Sequence, residues 1–303
     1  MAPLQMELPI ERMLSEAAGP ATPIGFYTIV VSSAIFALTA LPTLFKPWDM
    51  GVKMYIPLKL PESGVTQKQM TVLQCMFAMC ILMLTVFNFV AAFTTLSFYF
   101  VCVMLLFYAL QMVTFVPSVF GFFGKDPDVY GFDRKMVVPQ IVIMVTVLLL
   151  LAYSLYAENY PEPAAQLTLQ VKILIGFNAL LILMNGPGIA IPEKMFEMYA
   201  PKGQSKNRYE QAQLALYMQG LAIFNTINPL AGIAYLLTAP DYLGFILCGL
   251  PFYFGFFGFF IYFLQSADEL GWDKNAMYFW LPYNGIVTGC TIILALDAAG
   301  MLA

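Results

Sequence analysis

The pattern D-x-x-G-aromatic-D-cation occurs twice, as Asp128-Val129-Tyr130-Gly131-Phe132-Asp133-Arg134 and Asp268-Glu269-Leu270-Gly271-Trp272-Asp273-Lys274, 140 positions apart. Two carboxylates and a cation held together in one loop could form a binding turn at a membrane face. The same residue order also spells helix–turn–helix chemistry. The glycine ends one helix in the left-handed conformation, the aromatic anchors at the interface, and the second aspartate caps the next helix. That structural reading accounts for the motif's glycine, aromatic and capping aspartate, so it is the expectation.

Polar residues inside apolar runs are the next candidates, because buried polarity in lipid needs a partner. Asn88, Gln111, Gln140, Asn178, Asn185, Gln219, Asn225, Asn228 and Asn284 are such residues. The asparagines Asn88, Asn185, Asn225, Asn228 and Asn284 are expected either to line a solute path or to join helix to helix. Contacts of the second kind are worth roughly 0.6–2 kcal/mol each. Pro229 frees a carbonyl in its own helix, and Asn225 lies one turn earlier on the same face. Asn185-Gly186-Pro187-Gly188 interrupts its run near one end, as the broken helices of transporters do.

The missing residue types narrow the chemistry further. With no histidine in the chain, His-ligated haem, His-containing zinc or iron sites and His-based relays are excluded. The five cysteines, Cys75, Cys80, Cys102, Cys248 and Cys290, all fall in apolar runs, where cysteine behaves as a small hydrophobe. No phosphate-binding loop, nucleophile elbow or H-E-x-x-H motif is present. No acid or base lies mid-run: Asp297, Lys172 and Glu210 sit near ends where they can reach the interface. Ion- and proton-coupled transporters need a titratable group at membrane depth, so a pump, antiporter or proton relay is disfavoured. A passive route for a neutral or apolar solute is not. No catalytic residue, metal ligand or cofactor is assigned. A load of 27 Phe, 17 Tyr and 19 Met leaves room for a bound lipid or pigment.

Apolar runs must position these residues. Hydrophobic residues are 60% of the 303 and charged residues 11%, against roughly 25% charged in a soluble domain. The mean hydropathy is +0.77. Continuous runs near 20 residues long are helices in lipid, because open sheets leave backbone groups unpaired there. Eight such windows fall at about 24–45, 70–95, 97–121, 136–157, 168–190, 211–237, 241–265 and 276–300. The expected fold class is an all-α integral membrane protein with eight transmembrane helices.

Twelve of the fourteen Lys and Arg residues lie in alternate loops, 46–69, 124–135, 191–210 and 266–275. Cationic loops resist translocation, so both termini are expected on the non-cytosolic side, or the non-matrix or non-stromal side of an organelle. The partner is a lipid bilayer, with other membrane subunits expected; no basic stripe or motif points to nucleic acid. Residues 7–17 read either as an interfacial helix or as an acidic tail.

The halves of the chain also match. Both D-x-x-G motifs follow a Gly/Phe-rich helix end, Phe120-Gly121-Phe122-Phe123-Gly124 and Gly255-Phe256-Phe257-Gly258-Phe259. Both precede a run opening on proline and an amide, Pro139-Gln140 and Pro282-Tyr283-Asn284. Upstream, Pro47 with Met54-Tyr55-Ile56-Pro57 parallels Pro192 with Met198-Tyr199-Ala200-Pro201. Two parallel four-helix repeats follow, at 24–158 and 159–303, after an N-terminal segment 1–23; an even number of spans inserts both copies in the same sense. The P-x₅₋₆-M-Y-x-P turn after a first helix resembles small four-helix membrane modules of the DoxX-like type. The expected function is a non-catalytic accessory or scaffold subunit of a larger membrane complex. The alternative is a passive carrier or channel for a small neutral or lipid-like solute.

Overall fold

A computed structural model describes residues 23–62, 64–94, 96–160, 167–202, 204–239, 242–299 and 301. All regular structure among the described residues is helical. The helices are α1 (Ile24–Phe45), α2 (Gly64–Thr94), α3 (Phe98–Phe120), α4 (Arg134–Ala157), α5 (Leu169–Asn185), α6 (Pro192–Tyr199), α7 (Arg208–Thr238), α8 (Leu243–Leu270) and α9 (Lys274–Ala298). Every one except α6 is long and apolar enough to cross a membrane, α5 being continued by Pro187–Ala190; the spans number eight. The segment 1–23, with its expected interfacial helix, lies outside the described residues apart from Pro23.

Two helices form the centre. The most apolar window of α7 is 72% buried and that of α2 is 56% buried, against 22–39% for the other six. Both central helices have 31 residues, a length of about 46 Å at 1.5 Å per residue. That exceeds a hydrocarbon thickness of about 30 Å. The excess is the polar first turns, which hydropathy places outside the membrane: helices expected from 70 and 211 begin at Gly64 and Arg208. Their amides are buried by the opposite half of the chain rather than by lipid.

The packing is ordered around this pair. The α1 helix lies on α2, and α5 on α7. The hairpins α3–α4 and α8–α9 pack internally, and α4 and α9 close back on α1 and α5. The third helix of each half crosses over, α3 onto α7 and α8 onto α2. Helix association in lipid lacks the hydrophobic drive of water, so close packing and hydrogen bonds between helices supply the stabilisation.

All four cation-bearing loops meet at one end of the bundle. Asp133 N donates to Tyr55 O at 3.1 Å, and Asp273 N to Tyr199 O at 2.8 Å. Gln213 donates to Lys59 O and Tyr130 O (2.7 and 3.0 Å), while Gln69 donates to Leu270 O at 2.8 Å. Ion pairs join Arg208 to Asp126 and Lys68 to Glu269. Glu210, expected to reach the interface, is instead 2% exposed. It accepts from Thr66 Oγ1 (2.7 Å) and Glu62 N (2.9 Å), because the start of α7 packs against the start of α2.

Three sequence expectations need correction. Gly255-Phe256-Phe257-Gly258-Phe259 is not a helix end but the middle of α8. Only its counterpart at Gly121, with φ of 80°, terminates a helix. The motif aromatics do not anchor at an interface: Phe132 and Trp272 turn inward and are buried, stacked on Tyr130 and Phe263 respectively. Finally, Pro139 and Pro282 lie at different distances from their capping aspartates, so they do not correspond. At equal distances from those aspartates stand Gln140 and Trp280, and Gln140 Nε2 donates to the Tyr55 hydroxyl at 2.8 Å.

Candidate functional site: two amide-lined cavities

The two loop motifs are built for local structure. Gly131 and Gly271 have φ of 67° and 66°, the left-handed region that glycine reaches without a Cβ penalty. Asp133 caps α4 by accepting from Lys135 N, and Asp273 caps α9 by accepting from Asn275 N, each at 2.9 Å. Asp128, Asp268, Arg134 and Lys274 are exposed. Asp268 and Lys274 pair at 2.6 Å, in an exposed contact that solvent screens. The motif carboxylates serve separate helix ends and do not converge.

What the motifs position is the turn that closes each half. Tyr55 and Tyr199 end the segments that follow α1 and α5. Burial raises both hydroxyls above the usual tyrosine range, so they act as neutral hydrogen-bonding groups. The span from Pro47 to Tyr55 has one residue more than that from Pro192 to Tyr199. A π-helical turn at Pro47–Val52 takes up the surplus, where α6 is ordinary α-helix. Tyr55 and Tyr199 therefore reach like places despite unequal spacing.

Each tyrosine borders a cavity. The first has about 200 Å³ and lies among α1, α2, α3, α4 and α7. The second has about 110 Å³ and lies among α2, α5, α6, α7, α8 and α9. Five glutamines line the first: Gln74, Gln111, Gln140, Gln213 and Gln219. Five asparagines line the second: Asn178, Asn185, Asn225, Asn228 and Asn284. Among the described residues, no charged side chain lines either one.

Four of the five singled-out asparagines thus meet at one cavity. Asn225 Nδ2 reaches Asn185 Oδ1 at 3.4 Å, and Asn228 Nδ2 donates to Cys80 O at 3.2 Å. Asn185 and Asn284 donate to Leu181 O and Trp280 O, one turn back in their own helices. Asn88 lies apart and joins α2 to α1 through Ser33 Oγ at 2.9 Å. Sequence reasoning missed Gln74, Gln213 and Trp280, and gave Trp272 an interfacial role instead of a place on the cavity wall. Gln213 could have been found: it stands 144 positions after Gln69, and both donate to a carbonyl of the other half.

Several polar groups on these walls lack a partner among the described residues. They are the Gln213 Oε1 atom in the first cavity and the Asn228 Oδ1 and Trp272 Nε1 atoms in the second. Gln74, 6% exposed, makes no side-chain hydrogen bond among the described residues. The three atoms of Gln213, Asn228 and Trp272 each cost about 1–3 kcal/mol when buried unsatisfied. No three carboxylate, cysteine or histidine side chains gather as a metal site among the described residues. No protein-family model, curated protein or solved structure matches this chain.

Proposed function

We propose that this protein is a non-catalytic membrane protein that holds a small, neutral, mostly apolar molecule in each of its two intramembrane cavities, as a passive carrier does. The carrying observation is the set of buried amide and indole groups without partners on otherwise apolar, uncharged walls. An occupant with one or two hydrogen-bonding groups offsets their cost, and an ion would find no counter-charge. Amides and indoles offer no general base or nucleophile, and burial keeps the Tyr55 and Tyr199 phenols protonated, which supports a binding role over an enzymatic one. The volumes lie below the roughly 300–1,000 Å³ of sites for drug-sized ligands. The occupant is therefore a small molecule or one end of a longer lipid.

The two halves are read as parallel four-helix repeats of the DoxX-like kind. The main helix pairings of one half, α1 with α2, α3 with α4 and α1 with α4, have counterparts in the other, as do the Tyr55–Asp133 and Tyr199–Asp273 bonds. Gln69 and Gln213 make reciprocal bonds to Leu270 and Tyr130. Thr66 and Glu210, 144 positions apart, touch each other, as equivalent residues do on a two-fold axis. With the cationic loops at one end, the reading puts that end toward the cytosol, matrix or stroma, and both termini opposite.

Native purification in mild detergent, followed by solvent extraction and mass spectrometry, tests the proposal. The expected result is a neutral lipophile at near-stoichiometric amount, depleted in Gln74→Leu and Asn228→Leu variants. A protein that elutes only within a larger assembly, with nothing extractable, favours an accessory subunit. That second reading is supported by the exposed aromatic side chains of α8 and α9, Phe254, Phe257, Tyr278 and Phe279 among them.

A further inference from the structure

The two cavities occupy like places and both combine amides with aromatic rings, but only the second has tryptophans. Gln140 on the first stands where Trp280 stands on the second, and Phe132 where Trp272 stands. The first cavity sets its glutamines among phenyl and phenol rings, Phe77, Phe107, Phe132 and Phe224 among them, and has no indole. The second is a ring of flat side chains: Trp280 lies parallel to Phe260 (7°, 5.9 Å between centroids) and Trp272 to Phe263 (14°, 4.8 Å). Tyr283 meets Trp280 edge-on at 81°. Aromatic faces and edges carry opposite partial charge, so such a ring favours another aromatic placed among them.

We infer that the second cavity is an aromatic-ring site. It takes a neutral molecule near the size of benzene that bears a hydrogen-bonding substituent. This rests on the binding role proposed above and adds the ligand class. The size follows from the volume: a dry engineered cavity of about 150 Å³ accommodates benzene, and this one has about 110 Å³. Bordering methionines, Met76, Met83, Met195 and Met218, give the walls the compliance to admit it. The substituent follows from two groups at least nine-tenths buried. Trp272 Nε1–H needs an acceptor and Asn228 Oδ1 needs a donor. A hydroxyl supplies either, whereas a methyl of like size supplies neither.

Phenol and toluene are nearly the same shape and differ in that one group. The chain has three tryptophans, two of which line the second cavity and none the first. Indole emission of the full chain in lipid nanodiscs therefore reports on this cavity. Titration with each probe at matched free concentration is expected to perturb emission saturably, with phenol binding at least tenfold tighter than toluene. Trp272→Phe keeps the ring, removes the N–H and leaves Trp280 as reporter; it is expected to cut the phenol preference several-fold. Equal binding of the two probes, or a non-saturable change matching partition into lipid, overturns the inference. So does an unchanged preference in Trp272→Phe with native helicity. A co-purifying lipophile combined with a negative titration leaves the carrier reading standing and removes the aromatic site alone. Failure of both removes both.

Discussion

Gly131 lies where two constraints coincide. Its φ of 67° is left-handed, and a Cβ there would collide with the Lys59 side chain. Gly124 has a similar φ of 76° but open space around it. Left-handed backbone alone costs a residue with a Cβ about 1–2 kcal/mol. Gly124→Ala is expected to destabilise by about that amount, and Gly131→Ala by distinctly more, as read from thermal unfolding in detergent. Equal shifts would show that the Lys59 loop simply moves aside. Gln213 is the second sensitive residue, because one amide satisfies two carbonyls, Lys59 O and Tyr130 O. Gln213→Leu leaves both without that donor, and a loss of about 2–4 kcal/mol is expected if each stays buried. A variant as stable as the parent would mean that water reaches both carbonyls. The glycines and capping aspartates were legible in the sequence because turn and cap chemistry is local. The repeat spacing from Gln69 could have singled out Gln213, but not its partners, which lie 83 and 154 positions away.

At the scale of elements, the proposed repeat makes the π-helical turn Pro47–Val52 an accommodated insertion. Removing the exposed Asp49 is expected to convert it to α-helix, like α6, while Tyr55 keeps its place. The cost is the surface ion pair Asp49–Lys53 at 3.0 Å, worth at most about 1 kcal/mol. Removing Glu197 from α6 should be far worse. It turns Tyr199 by about 100° around the helix, away from Asp273 N and Trp280. Expression level and monodispersity of the two deletions measure the contrast; similar behaviour would refute the insertion reading. The eight spans were readable from hydropathy, but the starts of α2 and α7 were not. A window average treats Thr66, Gln69, Glu210 and Gln213 as water-facing, and only their neighbours reveal that protein covers them.

At the scale of the whole molecule, the crossed packing makes the halves interdependent. With α3 on α7 and α8 on α2, each cavity borrows a central helix from the other half. Residues 1–160 and 161–303, co-expressed as separate chains, are expected to co-purify as one complex; either alone should aggregate or be degraded. A stable, monodisperse 1–160 fragment would show that the crossing helices are dispensable.

Composition and periodicity alone determined that the chain is helical, has eight membrane-length runs and carries its cations in alternate loops. Such properties follow from each residue's own transfer energy and from its neighbours within a turn. The recurring D-x-x-G and M-Y-x-P segments were equally visible, because a repeat is a property of order. Only the tertiary structure decided that these segments hydrogen-bond each other, and that glutamines gather at one cavity and asparagines at the other. It also decided that Phe132 and Trp272 turn inward. Those outcomes depend on which helices cross and at what height, and they are set by the simultaneous satisfaction of buried polar groups far apart in the chain.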